Sequence, residues 1–183
     1  MHSLTHPRLR EIAGYLDAVR GQLTATVDAS PRAAFTVIPS DGRWSGAQIV
    51  QHLGKVEGAT TKLLEGLFSA ALASGLPADP DSASLLRSLD RFQSNGEVLG
   101  PLVAPERLRP TADAELDPVW ASLVAIRART YRAFGTVDGR NLAAITAPHP
   151  LLGPLNAYEW MLFLGKHEER HVGQLKRQLA AAA

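Results

Sequence analysis

The sequence predicts an all-α fold, a four-helix bundle with a long crossover connection between helices two and three, on three observations. Apolar residues recur at steps of three or four through four separate stretches, the period of one helical face. No stretch shows the period-two alternation and β-branched enrichment of a strand. The connection over residues 76–116 is too long for a tight antiparallel hairpin and carries Pro77, Pro80, Pro101, Pro105 and Pro110, so it permits a crossover.

The first helix is expected over residues 7–27, where Leu9, Ile12, Leu16, Val19, Leu23 and Val27 share one face and Pro7 suits the first turn. The second opens at Ser45, which stands three residues before Gln48 as a capping box. It continues through Ile49, Leu53, Val56, Leu63 and Leu67 to an end near Gly75. Within the crossover, residues 82–92 are compatible with a short helix. The third helix is expected to be capped by Asp117 with Pro118 in its first position, to carry Val119, Leu123, Ile126 and Phe134 on one side, and to stop at Gly135. In the fourth, Asn156 and Glu159 have capping-box spacing, and the helix runs through Trp160, Leu164 and Leu175 to Leu179.

At 183 residues, the chain reads as one domain spanning 1–183, long enough to bury a real core. Hydrophobic residues make up 45% and charged residues 20%, which excludes a disordered or fibrous chain. Lys+Arg 19 against Asp+Glu 18 gives a net charge of +1 with no basic block, so nucleic acid is not an expected partner. Cysteine is absent, which removes disulfides, thiolate metal sites and cysteine nucleophiles together, and any metal must use His, Asp or Glu. The opening MHSLTHPRLREI has no apolar leader core, and no run reaches the roughly 18 apolar residues of a membrane span. A cytoplasmic protein with a small-molecule substrate and no membrane partner is expected.

Six histidines differ in meaning. His2 and His6 precede the first helix and read as a solvated terminus. His149 lies in the Pro-rich turn before the fourth helix, where a structural role outweighs ligation. His167 and His171, four apart, place both rings on one face a turn from each other. They belong to the stripe Trp160, Leu164, His167, His171, Leu175, so both should point inward. His52, flanked on its face by Ile49 and Val56, should look into the bundle from the second helix. Three inward imidazoles outweigh the hydrogen-bonded core reading that would suit one alone.

The run from His167 to His171 also fits H-E-x-x-H, the metalloprotease helix in which Glu activates water. Such sites take their third ligand downstream, yet the twelve residues after His171 include no His, Asp or Glu. The third ligand must then lie upstream, and His52 is the best inward-facing donor.

The segment Trp44-Ser45-Gly46-Ala47-Gln48-Ile49-Val50-Gln51-His52-Leu53 and the segment His167-Glu168-Glu169-Arg170-His171-Val172-Gly173-Gln174, with the helix entry from Gly153 to Trp160, resemble the DinB/YfiT-like superfamily of metalloenzymes. The resemblance covers essentially the whole chain, with the two motifs about 115 residues apart. It implies a four-helix bundle with a metal held by His52, His167 and His171 at one end of its interior, and a homodimer as a common assembly. It also implies a thiol co-substrate, since characterised relatives include transferases and isomerases that use low-molecular-weight thiols.

Three neutral imidazoles leave a coordination position open, the arrangement of a catalytic rather than a structural site, and suit zinc, nickel, iron, manganese or copper without choosing among them. A divalent metal there lowers the pKa of water or of a thiol, so both thiol transfer onto a small electrophile and hydrolysis are open, beside a non-catalytic ligand-binding bundle. Glu168 is a candidate catalytic residue, orienting a ligand ring or shuttling a proton, against an equal reading as a solvated helix face. Glu169 and Arg170 are expected to face solvent. Gln48 is a candidate hydrogen-bond partner for the site, although its capping role already explains it. Arg107, Arg109 and Arg127 are candidates to receive an anionic thiol, with scattered solubilising charge the commoner explanation. Trp160 reads as core rather than a substrate platform.

Overall fold

A computed structural model describes residues 3–92 and 104–181. Its four long helices are α1 (Pro7–Asp28), α2 (Gly46–Ala73), α3 (Leu116–Thr136) and α4 (Ala157–Ala181). Between α3 and α4 lies a two-stranded antiparallel hairpin, β1 (Thr146–His149) with β2 (Gly153–Asn156), and 3-10 turns occupy Arg32–Phe35, Asp90–Phe92 and Glu106–Leu108. Helix α1 packs on α4, α2 on α3, and α2 on α4. Among the described residues, no helix is long and apolar enough to cross a membrane.

The apolar period explains the helices. Leu9, Ile12, Leu16, Val19, Leu23 and Val27 are all buried on α1, and Pro7 stands in its first turn, where no N–H is required. The α2 capping box is complete: Ser45 Oγ accepts the Gln48 N–H at 3.3 Å and Gln48 Oε1 accepts the Ser45 N–H at 2.8 Å. On α4 the same reciprocity joins Asn156 and Glu159, each backbone N–H bonding the other's side chain at 3.0 Å. These pairs satisfy donors that a helix start otherwise orphans.

Four expectations need correction. The buried line of α2 runs through Thr60, Leu64 and Phe68, while Leu63 is exposed. Each four-residue step carries the buried line about 40° round the helix, so by Leu64 it has left the face that a seven-residue step from Val56 to Leu63 would keep. Helix α3 begins at Leu116 with Glu115 in the cap position and no side-chain cap, so Asp117 sits inside the first turn, where its charge still favours the helix dipole. Residues 82–92 form turns and the Asp90–Phe92 3-10 segment instead of an α-helix. Asp79 and Asp81 each accept the N–H two residues on, at 3.0 and 2.8 Å, a local closure that competes with helix. The β1–β2 hairpin was not expected. Its four-residue strands pair Pro148 with Pro154, so neither strand has the alternation that marks a longer one. Pro101 and His2 lie outside the described residues.

The core divides in two. One apolar cluster gathers Leu9, Ile12 and Leu16 with Leu64, Phe134, Tyr158 and Leu164, and the other gathers Leu23, Leu53, Leu123, Val172 and Leu175. Between them, each helix contributes one charged residue at the same level: Arg20, Glu57, Arg127 and Glu168. The second cluster supports the end of the bundle that carries the histidines.

Candidate metal centre

His52 sits on the second turn of α2, fixed in phase by the Ser45 capping box and the buried neighbours Ile49, Leu53 and Val56. His167 and His171 face it from α4. The ring centroids are 5.1 Å apart for His52–His167 and His52–His171, and 4.6 Å for His167–His171. One ligand atom from each ring lies within 4.8 Å of the others. His52 and His171 are buried and His167 is half-buried.

Hydrogen bonds set two of the tautomers. His52 Nδ1 donates to the Leu108 carbonyl at 2.8 Å, and His171 Nδ1 donates to Gln174 Oε1 at 2.9 Å, because neither oxygen has a proton to give. In each of these two rings Nε2 therefore carries the lone pair. His52 Nε2 lies 3.2 Å from His167 Nε2. Two nitrogens about 2.05 Å from a tetrahedral ion would stand about 3.3 Å apart, so this pair already has the spacing that an ion requires.

Electrostatics keeps the rings neutral. Burial pushes the His171 imidazole down to about 4, with His52 adding to the effect. His167 falls well below the ordinary histidine range, through burial first and then the neighbouring rings of His171 and His52. Burial also lowers His52, against the stabilising bond to Leu108. Neutral imidazole is the form that binds a metal.

Glu168 is neither a solvated face nor a partner of a histidine ring. It is 2% exposed. Its carboxylate takes Arg20 Nε at 2.6 Å and Arg127 Nη2 at 2.6 Å. Arg127, read as a cation for an anionic thiol, is instead buried, donating to Glu57 at 2.6 Å as well as to Glu168. Arg107 and Arg109 are exposed, and the Arg109 side chain bonds the Ala104 carbonyl at 3.0 Å. Gln48 spends its amide on the Thr111 carbonyl at 3.0 Å rather than on His52. Trp160 is core, its Nε1 donating to the Ala147 carbonyl at 3.2 Å.

His149 has the structural role expected of it, its Nδ1 accepting the N–H groups of Leu151 and Leu152 at 3.2 Å. His6 is not a frayed residue: its N–H bonds Asp138 at 3.0 Å and its ring reaches the Asp79 carbonyl at 3.3 Å. Sequence reasoning missed the Leu108 carbonyl, Gln174, and the ionic layer of Arg20 and Glu57. The signal for the last was present, since Arg20 stands between Leu16 and Leu23, and Glu57 between Leu53 and Leu64, on faces that are otherwise apolar.

A helical bundle with three converging imidazoles has a residue set that could hold a metal ion. The chain belongs to the DinB superfamily, whose family model matches residues 7–175. It is 24% identical over 139 residues to the uncharacterized protein YuaE of Bacillus subtilis (strain 168), covering 75% of this chain and 78% of that one. The crystal structure of TT2238, described as a four-helix bundle protein, superposes with a TM-score of 0.62 at 22% identity, covering 92% of this chain and 98% of that chain. That likeness establishes the fold.

Proposed function

We propose that the protein is a metal-dependent enzyme that transfers a low-molecular-weight thiol onto a small electrophilic molecule, with His52, His167 and His171 as the metal ligands. The carrying observation is the convergence of three neutral rings, two of which have Nδ1 already committed to an oxygen. A divalent ion held there supplies a Lewis acid that lowers the pKa of a thiol or of water near neutral pH. The chain's own part is to hold the imidazoles deprotonated by burial, to lock ring orientation through Leu108 and Gln174, and to leave a coordination position for the reactant. With no cysteine in the chain, a thiol nucleophile must come from outside. Membership of the superfamily supports a thiol over water as that nucleophile.

The test is incubation of metal-reconstituted protein with a panel of thiols and a reactive electrophile, beside ester and amide substrates. Adducts that form only with metal and thiol together support transfer. Metal-dependent turnover without thiol replaces transfer with hydrolysis, and inactivity in every arm replaces both with a ligand-binding bundle.

A further inference from the structure

On α2 and α4 the charge around the histidines is one-sided. Every carboxylate near them on the two helices is engaged elsewhere: Glu57 and Glu168 with Arg20 and Arg127, and Glu169 with the Tyr15 hydroxyl at 2.9 Å and Lys166 at 3.7 Å. The oxygens that orient His52 and His171 belong to a peptide carbonyl and a neutral amide, not to carboxylates. An ion held by three neutral imidazoles would keep its full double positive charge.

Cations, by contrast, flank the site on both helices with the same spacing. Lys55 follows His52 by three residues on α2, and Arg170 follows His167 by three on α4, the separation that makes side chains neighbours on a helix surface. Lys55 is half-buried, its ammonium bonded among the described residues to the neutral Arg109 carbonyl at 2.6 Å. Arg170 is exposed and has no acidic partner among the described residues. Its charge bears on all three rings, and that of Lys55 on His52.

We infer that the centre is built to take an anion in the ion's open position, and that Arg170 and Lys55 draw that anion to the mouth and hold its charge there. Two cations beside a dication leave the site strongly under-compensated, and one anion relieves all three at once. A neutral ligand gains nothing from either side chain. For the reaction, the species admitted is the thiolate rather than the thiol. This inference rests on the metal reading above.

The test uses the full chain loaded with cobalt(II), with azide as the anionic probe and free imidazole as the neutral one, each titrated by the change in the cobalt visible spectrum. Arg170→Gln should weaken azide about three- to five-fold at low salt, and Arg170→Glu about ten-fold, as expected for a unit charge several ångströms away in a partly solvated site. Lys55→Gln should act in the same direction. The difference from wild type should shrink toward nothing at 0.5 M salt, because Arg170 is exposed. Imidazole affinity should not change, and cobalt affinity should stay level or rise, since removing a cation cannot weaken a site for a dication. Equal azide affinity in wild type and variants, or equal losses for azide and imidazole, would overturn the inference while leaving the metal reading intact. Failure of the wild type to bind cobalt would overturn both.

Discussion

The histidine cluster and the ionic layer beneath it occupy the same helices, yet they solve the burial of polar groups in opposite ways. In the layer, Arg20 and Arg127 meet Glu57 and Glu168 with contacts of 2.6 to 2.9 Å, two positive charges against two negative, and Thr130 Oγ1 adds a bond to Glu57 at 3.0 Å. That set closes on itself. Above it, three imidazoles converge with no ionic partner from this layer, His52 Nε2 standing 3.2 Å from His167 Nε2. A structural network has its partners within the chain, whereas a binding site keeps its last partner outside. Glu168, beside a histidine in sequence, has its carboxylate in the layer, bonded to Arg20 and Arg127.

Breaking the layer should have the largest effect on stability. Arg127→Met strips two buried carboxylates of a guanidinium and should cost about 3–5 kcal/mol, read by urea unfolding with the m-value held constant. Removing His52 should do the reverse: His52→Ala should abolish stoichiometric metal binding while changing the stability of the metal-free protein far less than Arg127→Met does. A similar loss of stability in both variants would erase the distinction. Chelation of wild type should lower its stability by the linkage term, about 2.7 kcal/mol when free metal had stood at 100 times its Kd, and should leave His52→Ala unmoved.

Smaller effects sharpen the contrast. Gln174→Ala removes the acceptor that orients His171 and should weaken metal affinity about ten-fold, by competition against a chromophoric chelator, with the helix content unchanged by circular dichroism. The metal-free protein should also respond to acid through its imidazoles. His171 is held near 4 in the fold, while an unfolded histidine titrates at about 6.5. The unfolded chain therefore takes up the proton first, so stability contributed by this group is complete above about pH 6.5 and is lost as pH falls toward 4. His171→Gln should flatten that part of the stability–pH curve, and an unchanged slope would remove His171 as its source.

The four helices were legible because their apolar period is long and unbroken, and two of the starts carried reciprocal caps at Ser45 and Asn156. The three histidines were legible for the same reason, since helical phase alone fixes which way they face. The hairpin was hidden by its brevity and its prolines. The fate of Glu168 and Arg127 was hidden because pairing across three helices depends on relative rotation, which no single helix encodes. The Leu108 carbonyl could not be read at all, since a backbone oxygen has no signature in sequence and this one acts through the 3-10 turn at Glu106–Leu108.

The central claim is that three converging imidazoles hold a metal ion, and metal analysis tests it most directly. Wild type, His52→Ala, His167→Ala and His171→Ala should be stripped, reconstituted with zinc, nickel, iron or manganese in turn, desalted and assayed for metal per chain. The account predicts about one ion per chain in wild type for at least one of these metals, and a near-complete loss in each variant. Equal metal content in all four proteins, or none in wild type with any metal, would contradict it.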